Sequence, residues 1–141
     1  MKNNAHKFFS VSIWTPDFVA LLLRVVFGGL MVYLHGWGKL EGWNEIKNDF
    51  AKPFGMSDWW AAALTIFAEV FCCLFIIVGL FTRLASIPVI LLMAVAAFNI
   101  HAGDPLDGRE SAIIYLVAFI AIFLMGSGRW SVDRLVFGKG K

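Results

Sequence analysis

The sequence predicts an all-α integral membrane protein: a four-helix transmembrane bundle in a single domain, with both termini cytoplasmic. Three observations carry that prediction. Of the 141 residues, 60% are hydrophobic and only 16% charged, and the mean hydropathy is +0.76. A soluble domain this short keeps too much surface to hide so much apolar area, so lipid takes the place of water as solvent. The apolar residues collect in four stretches, at about 18–34, 59–81, 84–100 and 111–125. Each is close to the length that carries a helix across about 30 Å of hydrocarbon, and none has the polar face a soluble bundle would present.

The first span is expected over about 16–36. Thr15, Pro16 and Asp17 supply a cap, a first-turn proline and an acid at the positive helix end. No small-residue cleavage site follows the span, so it reads as retained and not as a removed signal peptide. The loop after it holds Trp43, Ile46, Phe50 and Phe54 at helical spacing, with Glu45, Lys47 and Asp49 between them. That pattern suits a short interfacial helix over about 43–52, and a plain solvated loop equally.

Ser57 and Asp58 open the second span, about 58–81. The third, about 83–101, follows so closely around Thr82 and Arg83 that the two must form a tight antiparallel hairpin. Pro88 in the second turn of the third span predicts a modest bend. Asp107 followed by Glu110 resembles a capping box for the fourth span, about 108–126, which Gly126 and Gly128 end. Trp37, Trp43, Trp59 and Trp60 mark one membrane interface, and Trp14 and Trp130 the other. Lys2, Lys7, Arg83, Arg129, Arg134, Lys139 and Lys141 fall on one side. Lys39, Lys47, Lys52 and Arg109 fall on the other, mostly beside acids. The richer side is expected to be cytoplasmic.

Ionisable residues at hydrocarbon depth are costly and turn inward. Asp17, Arg24, Gly28, Met31, His35 and Lys39 share one stripe of the first span; Asp58, Ala62, Thr65, Glu69 and Cys72 or Cys73 share one on the second. Glu69 falls near mid-bilayer and Arg24 about 9 Å from the cytoplasmic edge. An Arg24–Glu69 pair is therefore expected, either locking the helices or holding Glu69 ready to relay protons or anchor a polar head group. At the outer end every span delivers a titratable group: His35, Asp58, His101 and Glu110, with Lys39 and Asp104 nearby. This set suits proton exchange with a bound quinone or acid, and two histidines with a carboxylate suit a divalent metal. Helix ends are also simply wet and polar. No HxxH or HxxxH pair supports a metal, and none is assigned. Glu69, His35 and His101 are the candidate catalytic residues, and Arg24, Lys39 and Glu110 the candidate ligand contacts.

Other chemistry is excluded by what the sequence lacks. There is no CxxC, haem-attachment motif, GxGxxG or Walker loop. Adjacent Cys72 and Cys73 point about 100° apart on a helix and read as packing residues. The net charge of +2 comes from loop residues and forms no basic patch for nucleic acid.

The run LLLRVVFGGLMVYLHGWGKL (Leu21 to Leu40), then AEVFCCLFIIVGLFTRLAS (Ala68 to Ser86), then GSGRWSVD (Gly126 to Asp133) resembles the DoxX family of small four-helix bacterial membrane proteins. The likeness rests on Arg24, the His35–Lys39 stretch, Glu69, the Gly79–Arg83 turn and the closing glycine–arginine turn. It implies a multi-pass protein of the bacterial inner membrane with a redox link, since the family name comes from a subunit of a thiosulfate:quinone oxidoreductase. Electrons would need a bound quinone or a partner redox subunit. The expected function is a subunit of a quinone-linked membrane oxidoreductase. Alternatives are a non-catalytic anchor or stabilising subunit of a larger complex, and a conduit for protons or a small solute; the expected partners are the lipid bilayer and either partner redox subunits or further copies of the chain in a homo-oligomer.

Overall fold

The computed structural model describes residues 16–138. Thr15, Trp14, Lys2, Lys7, Lys139 and Lys141, used above for a cap, an interface and the charge balance, lie outside the described residues. Among the described residues all regular structure is helical, and four helices have the length and hydropathy to cross a membrane: α1 (Pro16–Glu41), α3 (Asp58–Val78), α4 (Thr82–Ile100) and α5 (Leu106–Met125). Two short helices complete the set, α2 (Trp43–Ile46) between the first two spans and α6 (Val132–Phe137) after the last. The 43–52 segment is thus helical only in its first turn, with a 3₁₀ turn at Pro53–Gly55 beyond it.

The bundle core is apolar. Met31, Cys72, Cys73, Ile76, Val89, Met93, Tyr115, Phe119 and Ile122 interdigitate at its centre. Both cysteines are buried packing residues. Gly28 and Gly36 let α1 lie close on α3: a Cβ at Gly28 would meet Ile77 Cγ1 at 2.8 Å, and one at Gly36 would meet Val70 Cγ2 at 2.6 Å. Small residues at such crossings are how membrane helices associate, because lipid leaves no hydrophobic force to drive them together.

The two ends of the described chain meet at one end of the bundle. Asp17 Oδ1 accepts from the Arg129 backbone N–H at 2.8 Å, and Arg129 Nε lies 3.4 Å from Asp17 Oδ2. Asp17 therefore ties the start of α1 to the segment after α5. The α3–α4 hairpin closes at the same end. Gly79, at φ 76°, ends α3, with Leu80 N–H bonded to Phe75 O and Gly79 N–H to Ile76 O, a Schellman closure. Asp133 then caps α4 from a distance, accepting from Phe81 N at 2.6 Å and from Thr82 N and Oγ1 at 3.1 and 3.2 Å. A carboxylate at the positive end of a helix is well placed.

Two expected caps differ. The α5 helix begins at Leu106 after Pro105, and Asp107 Oδ1 accepts from the adjacent Gly108 N–H, so no Asp107–Glu110 box forms. Ser57 precedes α3 with extended backbone but makes no side-chain cap bond. Both sites are exposed, where water can take the free amides.

Candidate functional site

Glu69 is 3% exposed on α3, and its partner is Lys39, not Arg24. Lys39 Nζ donates to Oε1 at 2.6 Å and to Oε2 at 2.7 Å. Such doubly charge-assisted bonds are the strong kind. The reason lies in the register of α1 against α3. Gly36 sits directly on the Glu69 backbone, whereas Arg24 is twelve residues earlier, about 18 Å along the helix at about 1.5 Å per residue. No side chain spans that gap. The first span also runs on to Glu41, past the expected end at 36, and this extra turn brings Lys39 back over Glu69.

Arg24 has a different role. It is fully buried, and Nη1 donates to Ile76 O and Ile77 O at 3.3 and 3.4 Å while Nη2 donates to Trp130 O at 2.7 Å. The last carbonyls of α3 have no partner within their own helix, and the guanidinium supplies one at the negative helix end. Gly79 is needed here because a Cβ would collide with Arg24 Nη1. Arg24 thus ties α1, the end of α3 and the segment after α5 together.

Lys39 and Glu69 line a cavity of about 220 Å³ together with His101, Thr65, Met93 and Ile100. His101 Nδ1 lies 2.6 Å from Asp104 Oδ2, so the carboxylate orients the ring and leaves Nε2 for a ligand. The helix geometry around this cavity is unusual. Three spans widen from α to π turns: α1 at Met31–Gly36, α3 at Phe67–Cys72 and α4 at Ala96–Ile100. Glu69 lies inside the second, Lys39 follows the first, and Ala96 and Ile100 of the third are on the cavity wall. Single π turns are rare and gather at functional sites, where the extra residue swings a side chain off the regular stripe.

The remaining candidates stand apart. The His35 ring meets Tyr115 edge-on at 5.2 Å and is not on the cavity wall. Glu110 is exposed and borders a separate shallow pocket with Leu106, Asp107, Ile113 and Ile114. Asp58 pairs with Lys52 at 3.1 Å. Among the described residues no three His, Cys, Asp or Glu side chains converge as a metal site would require. Of the six candidates, the structure brings Lys39, Glu69 and His101 together.

A family model, DoxX, matches residues 19–102. The chain belongs to the DoxX family. An uncharacterized protein of Haemophilus influenzae is 28% identical over 110 residues, which cover 69% of this chain and 72% of that protein. No solved structure matches. The DoxX match takes in all but the first three residues of α1, α2, α3 and α4, and therefore every residue on the cavity wall, from Lys39 to His101. It ends before α5, so the expected likeness through Gly126–Asp133 lies beyond the matched region. Within this DoxX protein, the Arg24 carbonyl clamp was missed by the sequence reading because its acceptors are backbone atoms. The π turns leave no motif at all.

Proposed function

We propose that this DoxX protein is the quinone-binding membrane subunit of an oxidoreductase, with the quinone head in the Lys39–Glu69–His101 cavity. The observation that carries the reading is a buried acid–base pair facing a cavity at the level where three helices form π turns. Reducing a quinone to a quinol takes two electrons and two protons. The electrons come from a partner subunit that carries a redox cofactor; this chain handles the ring and the protons. Lys39 donates to a quinone carbonyl and gives up one of its bonds to Glu69. Glu69 delivers one proton to a ring oxygen, the partly exposed His101, steered by Asp104, delivers the other, and both groups are reprotonated from water. With the basic end cytoplasmic, the cavity lies in the outer half of the bacterial inner membrane.

Arg24 has no part in this chemistry; it holds the frame. The paired Lys39 and Glu69 also favour a second reading, in which they only lock α1 to α3 in an anchoring subunit, since a closed ion pair is electrically complete.

The test is quinone extracted with the protein purified in mild detergent, followed by titration with a tail-less benzoquinone read by tryptophan quenching. Wild-type protein is expected to carry quinone and to bind the benzoquinone. Glu69→Gln is expected to bind at least about tenfold more weakly, because it removes the carboxylate that holds charged Lys39 on the cavity wall, and a hydrogen bond from a charged donor contributes about 1.5–3 kcal/mol. Equal binding by the two, with no quinone in the extract, would leave the anchor.

A further inference from the structure

A second cavity, about 340 Å³ and almost wholly apolar, lies between α3 and α4 under the Pro53–Gly55 turn. It shares Pro53, Thr65, Leu92 and Val95 with the polar cavity, so the two lie side by side with these side chains between them. Its outer wall carries Leu64, Phe67 and Leu91, which are 50, 47 and 61% exposed at positions within the apolar spans. In a bilayer, side chains exposed at that depth face hydrocarbon. The polar cavity alone is below the size of ordinary small-molecule sites, about 300–1,000 Å³, whereas the apolar cavity falls within that range.

Residues of both helices wall the groove. Ala61 and Ala68 supply a thin floor on α3, and Pro88 on α4 has no N–H to continue the helix ladder beside it. The rim is built under strain. Phe54 stands at φ 53°, ψ 24°, a left-handed conformation that a bulky residue adopts only when its surroundings impose it, and Gly55 follows at φ 75°. The Lys52–Asp58 ion pair holds this turn to the start of α3.

We infer that the apolar groove between α3 and α4 is a lateral portal, holding the single isoprenoid chain of a lipid-soluble quinone whose head occupies the polar cavity. The inference rests on the head-group reading above and adds the route of entry and the ligand class: an amphiphile arriving from the bilayer, not a water-soluble quinone. A polar and an apolar cavity side by side suit one occupant with a polar and an apolar end. A tail gains little transfer free energy on moving from lipid to groove, since both are apolar. The groove therefore acts through shape, by letting the head reach Lys39 and Glu69 without folding the chain back on itself.

Leu64 and Leu91 line the groove but not the polar cavity, which makes Leu64→Trp and Leu91→Trp suitable plugs. Binding of a decyl-tailed benzoquinone and of the tail-less ring is compared in each variant, with thermal denaturation as a check of folding. An indole in the groove takes the space of the tail, so the plugs are expected to weaken the tailed ligand about tenfold relative to the tail-less one, about 1.4 kcal/mol. A diazirine at the tail end is expected to label α3 and α4 in wild-type protein. Unchanged preference in both plugged variants, or labelling of α1 and α5, would overturn the portal. So would a diazirine phospholipid that labels the groove and is not displaced by the tailed quinone. If the plugs discriminate as expected while Glu69→Gln binds the tail-less ring normally, the portal stands and the head assignment falls.

Discussion

Glu69 and Lys39 show how a buried pair constrains its own mutants. Lys39→Met leaves a nearly inaccessible carboxylate with no cation, and breaking a buried pair in this way costs about 3–5 kcal/mol. The Lys39 side chain is 30% exposed, so the lower end of that range is expected. Lys39→Met/Glu69→Leu removes both charges and is expected to recover most of the lost melting temperature in detergent, because the desolvation of both groups disappears with them. A double variant no more stable than Lys39→Met would show that the pair holds the bundle together. Arg24 predicts the opposite pattern. Its three carbonyl acceptors fan around a planar guanidinium, a geometry that an ammonium does not reproduce. Arg24→Lys should lower thermal stability by about 2 kcal/mol or more, and a melting temperature equal to wild type would argue against the clamp. The ionisable residues at hydrocarbon depth were legible in the sequence, and so was their inward stripe. Their pairing was not, because angular position on a helix says which face a residue shares and nothing about the level at which the neighbouring helix crosses it.

Among the elements, the α3–α4 hairpin was readable in advance because only Gly79, Leu80 and Phe81 separate the two helices, leaving no other geometry. The end of α1 was not. Gly36 and Gly38 look like helix terminators, yet both are helical, and Gly36 is the crossing point that places Glu69 under Lys39. Gly36→Val follows directly: its side chain would press on Val70 and part α1 from α3. The expected result is a loss of about 1–3 kcal/mol of stability from overpacking, with weakened quinone binding because Lys39 is carried away from Glu69. Gly29, which has open space around it, is the matched control; Gly29→Ala should leave the melting temperature unchanged or slightly raised. Equal behaviour of the two variants would remove the register argument. The π turns had no counterpart in the sequence, since apolar residues fit α and π geometry alike.

At the scale of the whole molecule, the membrane class, the four spans and the DoxX family were all visible in composition, stretch lengths and the Leu21–Leu40 and Ala68–Ser86 runs. The side of the membrane is an inference from charge. Arg83, Arg129 and Arg134 lie at the end where α1 begins and α5 ends, while Lys39, Lys47, Lys52 and Arg109 lie toward the other, where Lys39 and Lys52 are paired with acids. Basic residues near span ends favour the cytoplasm. A fluorescent protein fused after the last residue is therefore expected to fluoresce, and alkaline phosphatase inserted in the loop near residue 48 to be active. The reverse result would turn the cavity toward the cytoplasm and change the side from which its protons are drawn.

The acid–base pair in the cavity exists either for a ligand or only to lock two helices. Titrating folded Lys39→Met/Glu69→Leu protein with tail-less benzoquinone separates these most directly. A variant that melts near wild type and has lost benzoquinone binding is the predicted result; one that binds as tightly as wild type would contradict it.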